Sequence, residues 1–280
     1  MNRTILKYAG NKSRVMSQIN KFFDWEDVGT YIEPFCGAMG SVINANIPEN
    51  VDIILADANV EIIDFYKTIK DYAYEVEQLA NSWSSDEKTY LEIRSWDRAL
   101  NWRKSKSQIE IAARTIYLNQ RCFNGLFRIN KYGFFTTPWN HRENAPKIEI
   151  TKKTYQIDII KRCNMKACDW RELLSHDKKN ALIYADPPYI DIKSPESNFG
   201  GYIGNFSLTD QTNLAEQLLL KSKNGSKVIV SNSWCNESID IYKNFGFNIH
   251  QVFANRMLSA DNKSRGKTTE LLATLNCRCE

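Results

Sequence analysis

Short apolar runs bounded by turn residues alternate with helical stripes at both ends of the chain, and a long helical pattern separates the two regions. Seven runs read as strands, at 31–35, 51–56, 165–169, 182–185, 228–232, 247–253 and 271–275. Between them the spacing predicts helices. Val15, Ile19 and Phe22 form one behind Ser13 as cap, and another opens at Ser41, Val42 and Ile43. A third runs from Thr209 to about Lys223, capped by Thr209 or Ser207, and a fourth covers 238–245. This alternation predicts an α/β fold with an open, doubly wound sheet.

The middle of the chain differs. From Val60 to about Leu118 the stripe is helical (Ile63, Tyr66, Ile69; Val76, Leu79; Ile109, Ala113, Ile116), with a break at 82–87. Two aromatic-rich half-strands then flank Asn130 to Gly133 and read as a β-hairpin. Phe123, Phe127, Phe134 and Phe135 suit a hairpin core. They equally suit an outward face which, with Arg128 and Asn130, enters a nucleic-acid groove.

Candidate chemistry sits at strand ends, where open α/β sheets bind ligands. The apolar run Leu182 to Ala185 stops on Asp186, followed by Pro187, Pro188 and Tyr189. The prolines fix the backbone and leave carbonyls with no N–H beside them. A solvated Asp in a proline turn is the plainer reading, but the full strand-D-P-P-Y string favours a site. Gly37 and Gly40 follow the first strand, and Asp57 ends the second, where doubly wound folds grip ribose hydroxyls. Asp57 could instead cap the following helix. No G-x-G-x-x-G or phosphate-loop pattern is present, so the arrangement suggests a nucleoside cofactor without pyrophosphate, such as S-adenosylmethionine (AdoMet). Residues 191–207 are rich in Gly, Ser and Asn and read as a mobile lid.

Net charge is +4, but its distribution matters more than its size. Between Arg94 and Arg142 stand ten basic residues and two acidic ones, leaving 27 basic against 31 acidic elsewhere. That segment reads as a polyanion-binding footprint, and Lys263, Arg265 and Lys267 add a second candidate set of phosphate contacts. The seven cysteines form no C-x-x-C pair, which predicts reduced thiols and no metal. The chain has neither a membrane-length apolar run nor a signal-peptide core, so a cytoplasmic location is expected.

The strings L-K-Y-A-G-N-K, E-P-F-C-G, L-A-D, F-N-G-L-F-R-x-N-x-x-G-x-F-x-x-P, D-P-P-Y and N-F-S-L-T-D-Q together resemble the Dam-type family of N6-adenine DNA methyltransferases. The resemblance covers nearly the whole chain. It implies a Rossmann-like AdoMet-dependent methyltransferase fold with a mixed seven-stranded sheet. Residues 1–58 and 150–280 would be catalytic, and 59–149 an inserted helical and β-hairpin recognition domain. It further implies that Lys12, with Tyr8 and Ala9, lies beside the AdoMet carboxylate. Phe35 and Gly37 would form the cofactor loop, Asp57 would hold the ribose, and Asp169 would contact the adenine. Asp186 to Tyr189 would be catalytic, with Asp186 also touching the cofactor. Phe123 and Asn124 would wedge into double-stranded DNA, Leu126, Arg128 and Pro138 would read bases, and Lys7 would read the outer base. Members with this full set recognise GATC. A monomer is expected.

The chemistry can be argued from the residues alone. Adenine N6 is a poor nucleophile because its lone pair is delocalised into the ring. The Asp186 carboxylate and the Pro187 carbonyl can each accept one N6–H and free that lone pair for direct methyl transfer. Tyr189 would stack on an adenine flipped from the duplex. Rival readings are an RNA adenine methyltransferase with the same core, or a catalytically silent DNA-binding protein. Glutamine methylation of proteins usually carries Asn where Asp186 stands.

Overall fold

Most strand residues are apolar on both faces, as expected of strands covered by helices on each side. The computed structural model describes residues 2–8, 10–130, 132–176, 178–189, 206–255 and 267–278. Its strands are β1 (Thr30–Glu33), β2 (Asp52–Asp57), β3 (Cys163–Ala167), β4 (Ala181–Ala185), β5 (Lys227–Ser233), β6 (Asn248–Asn255) and β7 (Lys267–Leu275). They form one sheet in the order β3-β2-β1-β4-β5-β7-β6. β1 to β5 pair in parallel, and β7 runs antiparallel to both of its neighbours. The mixed seven-stranded sheet expected from the sequence is therefore observed.

The helices are α1 (Met16–Ile19), α2 (Val60–Ser82), α3 (Glu87–Ser95), α4 (Gln108–Arg121), α5 (Thr154–Arg162), α6 (Trp170–Ser175), α7 (Leu208–Lys223) and α8 (Asn236–Asn244). Leu182 and Tyr184 of β4 face a core shared with α2 and α4, whereas Ile183 and Ala185 face one shared with α6, α7 and α8. The first core continues without a break into the hairpin through Phe127 and Phe135.

Several elements depart from the sequence expectation. Asn11, not Ser13, caps the first turn, because its side chain accepts the Ser13 N–H at 2.9 Å. The helix expected at Ser41 is only a 3-10 turn, Val42–Asn44, since the Ser41 hydroxyl turns back to the Glu33 carboxylate instead of capping. β3 stops at Ala167, and Asp169 caps α6 by accepting the Arg171 N–H. β7 begins at Lys267, before the apolar run, because polar residues 267–270 pair with β6. Ser207 is the α7 cap, in a reciprocal capping box with Asp210. Among its described residues the hairpin holds two isolated bridges, Cys122 to Trp139 and Ile129 to Phe135, because a 3-10 turn, Phe123–Gly125, interrupts its first arm.

Much of the basic segment is structural. The Arg114 side chain has no exposed surface and bonds Glu61 at 2.9 Å, Asp97 at 2.7 Å and the carbonyls of Ile93 and Arg94. Asp97 in turn accepts the Phe135 N–H at 2.8 Å, while Arg94 and Arg98 donate to the carbonyls of Thr137 and Phe135. Arg103 pairs with Asp64 and Lys106 with Glu110. The count of ten therefore overstates the charge available to a polyanion, because folding directs several of these cations at carboxylates and carbonyls. Arg114→Met should destabilise the protein by about 3–5 kcal/mol in urea unfolding, because Glu61 and Asp97 lose their buried counter-charge. Lys106→Ala, at a partly exposed pair, should cost about 0.3–0.5 kcal/mol.

Candidate active site

Strand order reverses between β1 and β4, so their carboxyl ends diverge and leave a crevice. Three carboxylates stand at strand tips around it: Glu33 ends β1, Asp57 ends β2 and Asp186 follows β4. With Tyr8, Lys12, Phe35 and Gly37 they line a pocket. Seven of the residues picked out from the sequence thus meet in one cavity: Tyr8, Lys12, Phe35, Gly37, Gly40, Asp57 and Asp186.

Lys12 is buried and links the groups. Its Nζ lies 3.2 Å from Asp186 Oδ1, 3.5 Å from Glu270 Oε2 and 4.4 Å from the centre of the Tyr189 ring. The Tyr189 hydroxyl donates to Glu270 Oε2 at 2.9 Å. No donor among the described residues makes a well-directed hydrogen bond to Asp186 Oδ1, although that oxygen is buried. Burial raises the Asp186 carboxyl to about 7. Lys12 opposes the shift and Glu270 adds to it.

The other carboxylates are held more rigidly. Glu33 accepts from Tyr31 at 2.8 Å and from Ser41, and burial pushes it up to about 8. Asp57 accepts the backbone N–H of Gly37 at 2.9 Å and of Asn59 at 2.8 Å, and burial raises it also. Asn59, not Asp57, caps α2. Gly37 has a φ of +45°, and a Cβ there would sit 3.3 Å from the Tyr8 ring. At Gly40 a Cβ would collide with the Asn11 side chain, so that glycine lets the first loop pack against the second.

The proline turn is pinned from behind. Gln211 of α7 donates to the Pro188 carbonyl at 2.7 Å, and Asn232 of β5 donates to Gln211 at 3.0 Å. Among the described residues nothing donates to the Pro187 carbonyl.

Lys7 reaches the hairpin although it lies far from it in the sequence. Asn119 of α4 clamps its backbone, accepting the Lys7 N–H at 2.8 Å and donating to its carbonyl at 2.7 Å. Its side chain crosses Gly125, where any Cβ would run into it. Of the hairpin residues picked out from the sequence, Phe123, Asn124, Arg128, Asn130 and Pro138 face outward, as do Tyr132, Gly133 and Thr136, and Leu126 is partly covered. Phe127 and Phe135 are core instead, edge to face at 5.3 Å. The Asn130 carbonyl oxygen accepts from Tyr132 and Phe134, leaving its NH2 for other partners.

Asp169 lies outside the pocket lining and pairs with Arg171 at 3.2 Å. Ala9, Lys263 and Arg265, and most of the expected lid, fall outside the described residues, as does the Lys267 side chain. Glu33, Glu270 and Gln211 were not anticipated as site residues. A carboxylate closing the first strand, as Asp57 and Asp186 close theirs, was the available signal for Glu33. Among the described residues no helix is long and apolar enough to cross a membrane, and no cluster of three metal-ligating side chains is found.

Residues 8–258 match the D12 class N6 adenine-specific DNA methyltransferase family. The chain belongs to that family. Among its relatives is a DNA N-6-adenine-methyltransferase of Escherichia phage P1, 29% identical over 98% of this chain but only 35% of that protein. The type II methyltransferase M1.LlaDCHI of Lactococcus lactis subsp. cremoris is 31% identical over 97% of this chain and 95% of its own. The DNA adenine methylase of Vibrio cholerae is 28% identical, with the same coverage of both chains. The chain is thus an AdoMet-dependent, adenine-specific DNA methyltransferase.

Burial raises Asp186, and its ionised form is the stronger acceptor; if the reaction uses that form, kcat/KM should rise with pH through about 7. Glu270→Gln removes a charge that raises Asp186 and should move this limb to lower pH. Lys12→Gln should move it higher. Stopped assays over a pH series would check both directions.

Proposed function

We propose that this methyltransferase acts on the adenine of GATC in duplex DNA, with the target base flipped into the crevice beside Asp186. The observation that carries this reading is the strand-tip cluster, in which a buried Asp186 oxygen without an aligned donor shares Lys12 with the Tyr189 ring. Asp186 accepts one N6–H and the Pro187 carbonyl the other, so the nitrogen lone pair is drawn out of the ring. Tyr189 stacks on the base. Held near neutrality, the Asp186 carboxylate can then take the proton that the methylated amine sheds.

The cofactor's contribution is an electrophilic methyl group on a sulfonium. The pocket suits such a cation, being lined by Glu33, Asp57 and Asp186. In this reading Asp57 holds the ribose hydroxyls and Lys12 the carboxylate, and Tyr8, Phe35 and Gly37 wall the pocket. Asp169, next to Trp170 and so near Phe35, contacts the adenine end. Residues 59–149 act as the target-recognition unit. Phe123 and Asn124 wedge into the duplex, while Leu126, Arg128, Asn130, Pro138 and Lys7 read its bases. The contact between Lys7 and Gly125 supports grouping the N-terminal lysine with the hairpin. Lys263, Arg265 and Lys267 remain candidates for phosphate contacts, and the enzyme acts as a monomer.

Transfer from tritiated AdoMet to duplexes differing only in the GATC core, with single-stranded RNA as control, tests the proposal. Preference for GATC is expected, and equal transfer to every duplex or to RNA would contradict it. Arg128→Ala should lose about 1–3 kcal/mol of discrimination at one base position.

A further inference from the structure

Lys7 also lines a second cavity, which plays no part in the chemistry above. It is lined by Lys7, Gln120, Arg121, Asn140, Arg142 and Lys147 among others. Three separate segments meet there: the N-terminal loop, the end of α4, and the strap that leaves the hairpin. Asn140 ties the strap to α4 by donating its N–H to the Arg121 carbonyl at 3.0 Å. Further along, Ile148 and Asn81 exchange two hydrogen bonds at 2.9 Å.

Arg121 is the unusual member. It is only 5% exposed, yet no carboxylate among the described residues acts on its charge. Nη2 donates to the Pro146 carbonyl at 2.8 Å, while Nε is buried without a hydrogen-bond partner among the described residues. A cation at a helix C-terminus is favoured by the dipole, which explains why an arginine can end α4. It does not explain why Lys7 and Arg142 converge on the same arginine. Burial first, and then the charges of Arg121 and Arg142, lower the Lys7 ammonium. Like charges gathered without an acid around an unsatisfied buried donor are complementary to an anion.

We infer that this cavity, built by Lys7, Arg121, Arg142 and Lys147, binds one backbone phosphate of the DNA duplex, beside the base that Lys7 reads. The inference rests on the reading of the hairpin face as the duplex-binding face. Lys7 forms the link, since its stem crosses Gly125 next to half-exposed Phe123 and also lines the cavity. A guanidinium fork fixed by burial holds a phosphate in one place, so the contact sets the register of the duplex without reading sequence.

The test uses the full chain and a duplex chosen because the wild type methylates it, so failure of the DNA reading would show first, as no methylated duplex. Each phosphate is then replaced in turn by a neutral methylphosphonate, and affinity is measured for the wild type, Arg142→Gln and Lys147→Gln. Both substituted residues are exposed, so the variants should fold; Arg121→Gln is added if it melts like the wild type. Each variant should weaken binding roughly 3- to 10-fold, flatten the salt slope by about one, and leave base preference unchanged. One methylphosphonate position should weaken wild-type binding but cost the variants much less. Penalties that simply add at every position would overturn the assignment. A flat scan, with inorganic phosphate raising the melting temperature of the wild type but not of Arg142→Gln, would assign the cavity to a free anion instead. A flat scan without such stabilisation would remove the site.

Discussion

Burying a carboxylate at the end of a central strand is unfavourable unless something answers its charge, and this structure is arranged around that problem. Asp186 follows β4 at the point where strand order reverses, and the proline turn after it cannot relax outward because Gln211 holds the Pro188 carbonyl. Lys12 is brought in from the N-terminal loop to sit between Asp186 and Glu270. The outcome is a carboxyl poised near neutrality with one oxygen lacking an aligned donor, a suitable state for an acceptor of amine N–H bonds.

The loop that delivers Lys12 to the crevice also delivers Lys7 to the hairpin, and this links the two structurally. Lys7 is clamped by Asn119 of α4 and crosses Gly125 at the root of the hairpin. The hairpin's second arm is fastened to the helical layer through Asp97 and buried Arg114. A shift of the hairpin would therefore be felt five residues from Lys12.

The strands were legible because their runs are apolar and end on polar or turn residues, and the pocket followed from what stands at those ends. Glu270 was hidden because β7 starts with polar Lys267, Thr268 and Thr269, which pair with β6 but carry no apolar signal. Charge counting misled in the middle segment, since periodicity cannot tell that Arg114 points inward at Glu61 and Asp97. The contact between Lys7 and Gly125 depends on packing between distant segments, and no local pattern encodes it. Capping was ambiguous for a simpler reason: Asn11 and Ser13 are both good caps, and geometry chose the asparagine.

The central claim is that the buried Asp186 carboxylate receives the adenine amine. The most direct measurement compares methyl transfer and duplex binding for the wild type and Asp186→Ala. The account predicts that the variant binds the duplex with affinity close to the wild type but forms no N6-methyladenine. Near-normal turnover in the variant would contradict it.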